Sequence, residues 1–147
     1  MANEIMVQNE TAMAASIDFD IPEGYICTFD LDDYDAAMMF GAARGTAKSL
    51  KDMTNVPIAV RDVVTVPSVR ASDGKDCIGT YLICDDGSAY FSQSNGIAES
   101  VRVLVRLSTN RVTGKFNAPC DRGWNWMVVE GTASNGNTYK NVIPVKA

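Results

Sequence analysis

The chain has 147 residues, 46% of them hydrophobic and 21% charged, with a formal net charge of −5. That balance supports one domain with a buried core and excludes a disordered chain. There is no histidine, which excludes a histidine base, a Ser-His-Asp triad and a histidine-ligated metal, and no apolar run reaches the ~18 residues that a membrane-spanning helix needs.

Residues 1–20 are small or polar with little periodicity and read as a mobile arm. Gly24 to Leu31 carries β-branched and aromatic residues and predicts a strand. Asp32-Asp33-Tyr34-Asp35 then precedes an Ala/Met run that predicts a helix from Ala36 to Leu50, because carboxylates accept the free N–H groups of a first turn. Gly41 and Gly45 weaken it. Ile58 to Val66 is a strong strand signal, and Pro67 ends it or places it on a sheet edge. Ser72-Asp73-Gly74-Lys75 is a turn, Cys77 to Cys84 a strand, Asp85-Asp86-Gly87-Ser88 a hairpin turn and Ala89 to Ser92 a strand. Ser94-Asn95 caps a helix whose apolar stripe is Ile97, Val101, Leu104 and Val105, with Arg102 and Arg106 on another face. After a polar stretch from Ser108 to Lys115 come a strand from Trp124 to Gly131, a turn at Ser134 to Asn137 and a strand from Tyr139 to Val145.

Three strands, a helix and two strands is the element order of the OB fold. The expected architecture is mainly β: a five-stranded OB barrel with one helix between strands three and four, preceded by an N-terminal strand and helix. Residues 21–147 form that single domain, with its barrel at about 56–147.

Charge is unevenly placed. Residues 1–55 hold ten acids against Arg44, Lys48 and Lys51, whereas residues 56–147 hold ten bases against eight acids. An acidic chain thus carries a basic C-terminal half. Single-strand binding on an OB barrel needs aromatic platforms for bases and cations near phosphates. Tyr81, Tyr90, Phe91, Phe116, Trp124, Trp126 and Tyr139 lie on or beside the predicted strands. Of these, Tyr90, Trp124, Trp126, Tyr81 and Phe116 are the candidate DNA contacts, with the cations Arg61, Arg70, Lys75, Arg111, Lys115, Arg122 and Lys140. Alternation puts Tyr90 and Phe91 on opposite faces, one inward and one outward, with Tyr90 the preferred platform and Phe91 and Tyr81 leaning to the core. Trp124 and Trp126 share a face. Arg102 and Arg106 read as a solvated helix face.

Several other chemistries are weaker. Gly41 to Ser49 has two residues between its second glycine and lysine, unlike a phosphate loop. Asp30 to Asp35 lacks the sixth-position glycine and distal glutamate of a calcium loop, and helix capping explains it. Cys27, Cys77, Cys84 and Cys120 form no C-x-x-C pair, so reduced, mostly buried thiols are expected in place of disulfides or zinc. No cofactor and no catalytic residue is expected. Two rival readings are a protein-interaction module with an acidic N-terminal docking or DNA-mimic surface, and a carboxylate nuclease built on Asp30–Asp35.

From Ile58-x-Val60-x-Asp62-Val63-Val64, through Thr80-Tyr81-Leu82-Ile83-Cys84-Asp85-Asp86-Gly87-Ser88-Ala89-Tyr90, to Ser92-Gln93-Ser94-Asn95-Gly96-Ile97-Ala98-Glu99-Ser100, the chain resembles the single-stranded DNA-binding proteins of tailed phages infecting Gram-positive bacteria. Thr28-Phe29-Asp30 and Ala37 to Leu50 resemble that family's N-terminal strand and helix. The resemblance covers roughly Gly24 to Val145. It implies an OB fold and binding of single-stranded DNA with little sequence preference in phage replication or recombination. Tyr90 is its best transferable position. Replication or recombination proteins and further copies of the chain are candidate partners, the oligomeric state being left open; the lack of a long apolar run and of a signal-peptide layout predicts no membrane and a cytoplasmic place, that of the host if the chain is phage-encoded. The start of the chain lacks a signal-peptide layout, and its end, Val142 to Ala147, lacks the acidic tail of cellular single-strand binders.

Overall fold

The computed structural model describes residues 25–30 and 32–147; the arm read over 1–20, and the ends Gly24 and Leu31 of the first predicted strand, lie outside the described residues. Within 25–30 that strand is not formed. Cys27 makes a single antiparallel bridge to Val64. Backbone bonds flank it, from the Thr28 N–H to Val63 O at 3.1 Å and from the Thr65 N–H to Ile26 O at 2.8 Å, but the return bonds go to side chains: the Val63 N–H donates to the Thr28 hydroxyl at 2.9 Å and the Ile26 N–H to Thr65 Oγ1 at 2.7 Å. Hydroxyls beside the backbone offer it partners other than a second strand.

Helix α1 (Tyr34–Thr46) starts where the acids predict, with the Asp33 carboxylate accepting from the Ala36 N–H at 3.1 Å. It stops short of Leu50. Past Gly45 and Thr46, both poor helix formers, Lys48–Ser49 (β1) leaves to pair in parallel with Tyr90 and Phe91. A 3-10 turn over Leu50–Met53 then drops Leu50 into the core.

The long β-branched run becomes β2 (Val60–Val69), followed by β3 (Asp76–Cys84) and β4 (Ala89–Ser92), in the sheet order β1-β4-β3-β2. Pro67 sits within β2, which it can do because β2 is the terminal strand of that order. Helix α2 (Asn95–Leu107) follows, capped by Ser94, whose Oγ accepts from the Ile97 N–H. Strands β5 (Trp124–Thr132) and β6 (Thr138–Lys146) form a two-stranded ribbon.

Among the described residues the sheets therefore number four strands and two, and the continuous ladder of the expected five-stranded barrel is interrupted. The chain ahead of β2 joins the two. Ile58 and Trp126 exchange both backbone hydrogen bonds, at 2.7 and 2.9 Å, and the Asn55 N–H reaches Val128 O at 2.7 Å. Asn55 does so with φ of 67°, a left-handed value that asparagine tolerates better than most residues. Among the described residues the architecture is mainly β with two long helices.

Alternation gives the larger sheet two apolar faces. Val60, Val63, Leu82 and Cys84 pack inward with Ile97 and Val101 of α2, Trp126 and Val128 of β5, and Val142 of β6. Ser100 fixes α2 to the ribbon, its hydroxyl accepting from the Val142 N–H at 2.9 Å. On the opposite face Val64, Ile83 and Ala89 meet Ala43 of α1. There the rings of Phe29, Phe40, Tyr81 and Phe91 run in series, with successive centroids 6.1, 5.4 and 4.6 Å apart.

Candidate nucleic-acid interface

An open cleft of ≈ 530 Å³ lies between the β4–α2 connection and the beginning of β6. Three cations line it: Lys51, Arg70 and Lys140. So do two aromatic residues, Phe91 and Tyr139, and the polar run Ser92-Gln93-Ser94. Each arrives for a local reason. The β1–β4 pairing sets Ser49 opposite Phe91 and so carries Lys51 to the cleft. Arg70 stands at the base of the β2–β3 turn, and its guanidinium donates to Gln93 O at 3.4 Å. The Gln93 amide donates to Ser68 Oγ at 2.9 Å and Val69 O at 3.1 Å, which pins the connection before α2 to that turn. Ser94 and Ile97 bring the positive end of the α2 dipole to the same wall.

The charges are unequally free. Arg70 pairs with Asp73 at 3.1 Å, and the Lys75 N–H and then Arg70 hold the Asp73 carboxyl below its usual range. Lys51 and Lys140 carry no ion pair among the described residues. The cleft can therefore attract phosphate through two lysines and part of an arginine, while rings stand ready for bases.

The predicted site residues divide. Arg70 and Lys140 meet in the cleft. Lys75 is exposed in the adjoining turn. Arg111 and Lys115 are exposed in a loop closed by hydrogen bonds from Asn110 N–H to Lys115 O and from Gly114 N–H to Asn110 O. Arg122 lies over the Trp124 ring, 5.2 Å from its centroid. Arg61 is committed elsewhere: two carboxylates, Asp85 at 2.6 Å and Asp121 at 2.9 Å, hold its guanidinium and push its pKa above the ordinary arginine range.

The five proposed platforms are not equally free. Tyr90 and Phe91 do lie on opposite faces, but Tyr90 is the inward one, packed on the main core. The pocket Tyr90 borders, ≈ 330 Å³, has Asp85 and Asp86 as its charged lining and would repel phosphate. Trp126 is 2% exposed and offers no free face, whereas Trp124, at the strand's start, is 37% exposed. Phe116 packs against the core. Tyr81 is held between Phe40 and Phe91. Two residues of the cleft were not among the candidates: Lys51, counted only as one of the three bases of residues 1–55, and Phe91, which leaned to the core. Tyr139 stood among the aromatics without being chosen; its place directly before Lys140, just after a turn, was the available signal.

Among the described residues no three His, Cys, Asp or Glu side chains gather as a metal site would require, and no helix is long and apolar enough to cross a membrane.

The sequence profile of the family described as Phage Single-stranded DNA-binding protein matches residues 20–139. The chain belongs to that family. No curated protein and no solved structure matches it.

Proposed function

We propose that the protein binds single-stranded DNA with little sequence preference and without catalysis, coating it during phage DNA replication or recombination. The observation that carries this reading is the joining of Lys51 and Lys140, free of ion pairs among the described residues, with Phe91 and Tyr139 in one open cleft. Stacking and phosphate attraction are both indifferent to base identity, so a site built on them covers any strand. The element order and the bridges joining β5 to the chain ahead of β2 support an OB-type barrel as the scaffold. In such a barrel a cleft between the first and last hairpin turns is the customary ligand position. Arg70 and Tyr139 stand at the bases of those two turns here.

The test is a fluorescence titration with labelled oligo-dT, oligo-rU and duplex DNA over a series of salt concentrations. Single-strand contacts release counterions with a slope of about −0.7 per phosphate, so three to four contacts from Lys51, Arg70, Lys140 and Lys75 give a slope of roughly −2 to −3. Oligo-dT should bind more tightly than duplex. A slope near zero, or no binding at low salt, would overturn the reading and leave the protein-interaction module in its place.

A further inference from the structure

The two aromatic residues at the cleft share an unusual support. A Cβ built on Gly131 would stand 2.6 Å from both Cζ and Oη of Tyr139 and 3.0 Å from its Cε2; a Cβ on Gly79 would stand 2.8 Å from Cε1 of Phe91. Both rings thus fill space that a side chain on the neighbouring strand would occupy. Gly131 and Tyr139 are direct partners across the β5–β6 ribbon, and Gly79 is diagonal to Phe91, whose partner is Tyr81. A strand glycine ordinarily weakens a sheet, since it has no side chain to pack and more backbone freedom to lose. Here an aromatic ring covers each one.

The two glycines differ in what they support. Gly79 is buried beneath a ring that is itself half-buried, with Ser68 Cβ a further 3.3 Å neighbour. Tyr139 is 47% exposed, so its ring is seated on backbone yet open to solvent. An unsupported tyrosine on an exposed ribbon samples several rotamers, and ordering it on binding costs affinity; a ring already seated avoids that cost.

We propose that Gly131 is a positioning residue for DNA binding, which seats the Tyr139 ring as a preset stacking platform at the mouth of the cleft. The inference rests on the single-strand-binding reading and adds a residue that touches no DNA. The atoms a Cβ would displace are the far end of a flexible side chain, so Gly131→Ala swings the ring aside without disturbing the strand.

The test is a double-mutant cycle of Gly131→Ala and Tyr139→Ala, with Tyr139→Phe as the conservative control. Binding is measured to oligo-dT and to an abasic oligomer of equal length, and folding of each variant is followed by thermal melting. Tyr139→Ala should weaken oligo-dT binding by about five- to 150-fold, the range for loss of one stacked base. Gly131→Ala alone should reproduce at least half of that loss on a logarithmic scale, Tyr139→Phe should bind like wild type, and Gly131→Ala should have no further effect once Tyr139 is Ala. None of these variants should alter binding to the abasic oligomer. Wild-type binding of oligo-dT with no effect of Gly131→Ala would overturn the positioning role. An equal loss on both oligomers would do so too, because it would mark general damage to the ribbon. Gly131→Val, whose larger side chain displaces the ring further, provides a second reading if the alanine effect is small: its loss should approach that of Tyr139→Ala. Absence of wild-type binding would instead defeat the functional reading itself.

Discussion

The cleft beside α2 and the opposite region around Pro119–Arg122 use the same kinds of residue to different ends. Each has arginine or lysine, and each has an exposed aromatic. At the Pro119–Arg122 turn the arginine charge is consumed: Arg61 bridges Asp85 and Asp121, tying that turn to the β3–β4 hairpin. Arg122 is spent on the face of Trp124. In the cleft two lysines stand without a carboxylate partner among the described residues, and the aromatic at its mouth rests on glycine with surface to spare. Ionic commitment, more than the number of basic residues, separates a place that holds the fold together from one left open to a ligand.

The strongest way to break this contrast is to remove the uncommitted charges. Lys51→Ala with Lys140→Ala should make the salt slope shallower by about 1.4, which corresponds to a roughly 25-fold weaker affinity at 0.1 M salt if the two proteins converge near 1 M. An unchanged slope would show that phosphates pass elsewhere.

Removing the committed charge should do the reverse. Arg61→Ala should leave oligo-dT affinity within about twofold and lower stability by about 1 kcal/mol, the scale of a partly exposed ion-pair network. Denaturant unfolding and the same titration check both halves. A large binding defect in a protein of undiminished stability would put Arg61 on the DNA path after all.

The smallest effect is on a thiol. Burial raises the Cys120 pKa, and the Arg61 charge pulls it part of the way back. Without Arg61 the thiolate is rarer, so alkylation of Cys120 at pH 8 should slow in Arg61→Ala. Cys27 and Cys84, pushed to about 11 chiefly by burial, should react more slowly than Cys120 in both proteins. Faster labelling of Cys120 in the variant would mean that the turn had come loose, making the bridge a larger structural element than a partly exposed ion pair.

Much of the scaffold was legible because local signals agreed. The β-branched runs from Ile58 onward, the Asp33 and Ser94 caps and the turns at Gly74, Gly87 and Gly136 all fall where the chain implies, whereas the run from Gly24 makes only a bridge at Cys27. The helix end was not legible, since Lys48 and Ser49 leave the helical run to pair with a strand some forty residues away. Period-two alternation correctly separated Tyr90 from Phe91, yet which face is inward depends on what covers each side. Here that is α2 and the ribbon on one face and α1 on the other. Cation choice failed for a similar reason: the sequence shows Arg61, but only the fold brings Asp121 to it from sixty residues away.

The junction between the two sheets also decides how the molecule can breathe. The ribbon is held on one side by the hydrogen bonds at Ile58–Trp126 and Asn55–Val128 and on the other by α2 through Ser100. Any excursion that parts the ribbon from the larger sheet must break those bonds together, whereas the β5–β6 ladder itself can survive it. The amide protons of Asn55, Ile58 and Trp126 are therefore natural clocks for that motion. In hydrogen exchange they would open as one group, separate from the slower amides within β2 and β3. A strand lying in the cleft would slow that group first, since Lys51 and Phe91 belong to one side of the junction and Tyr139 and Lys140 to the other.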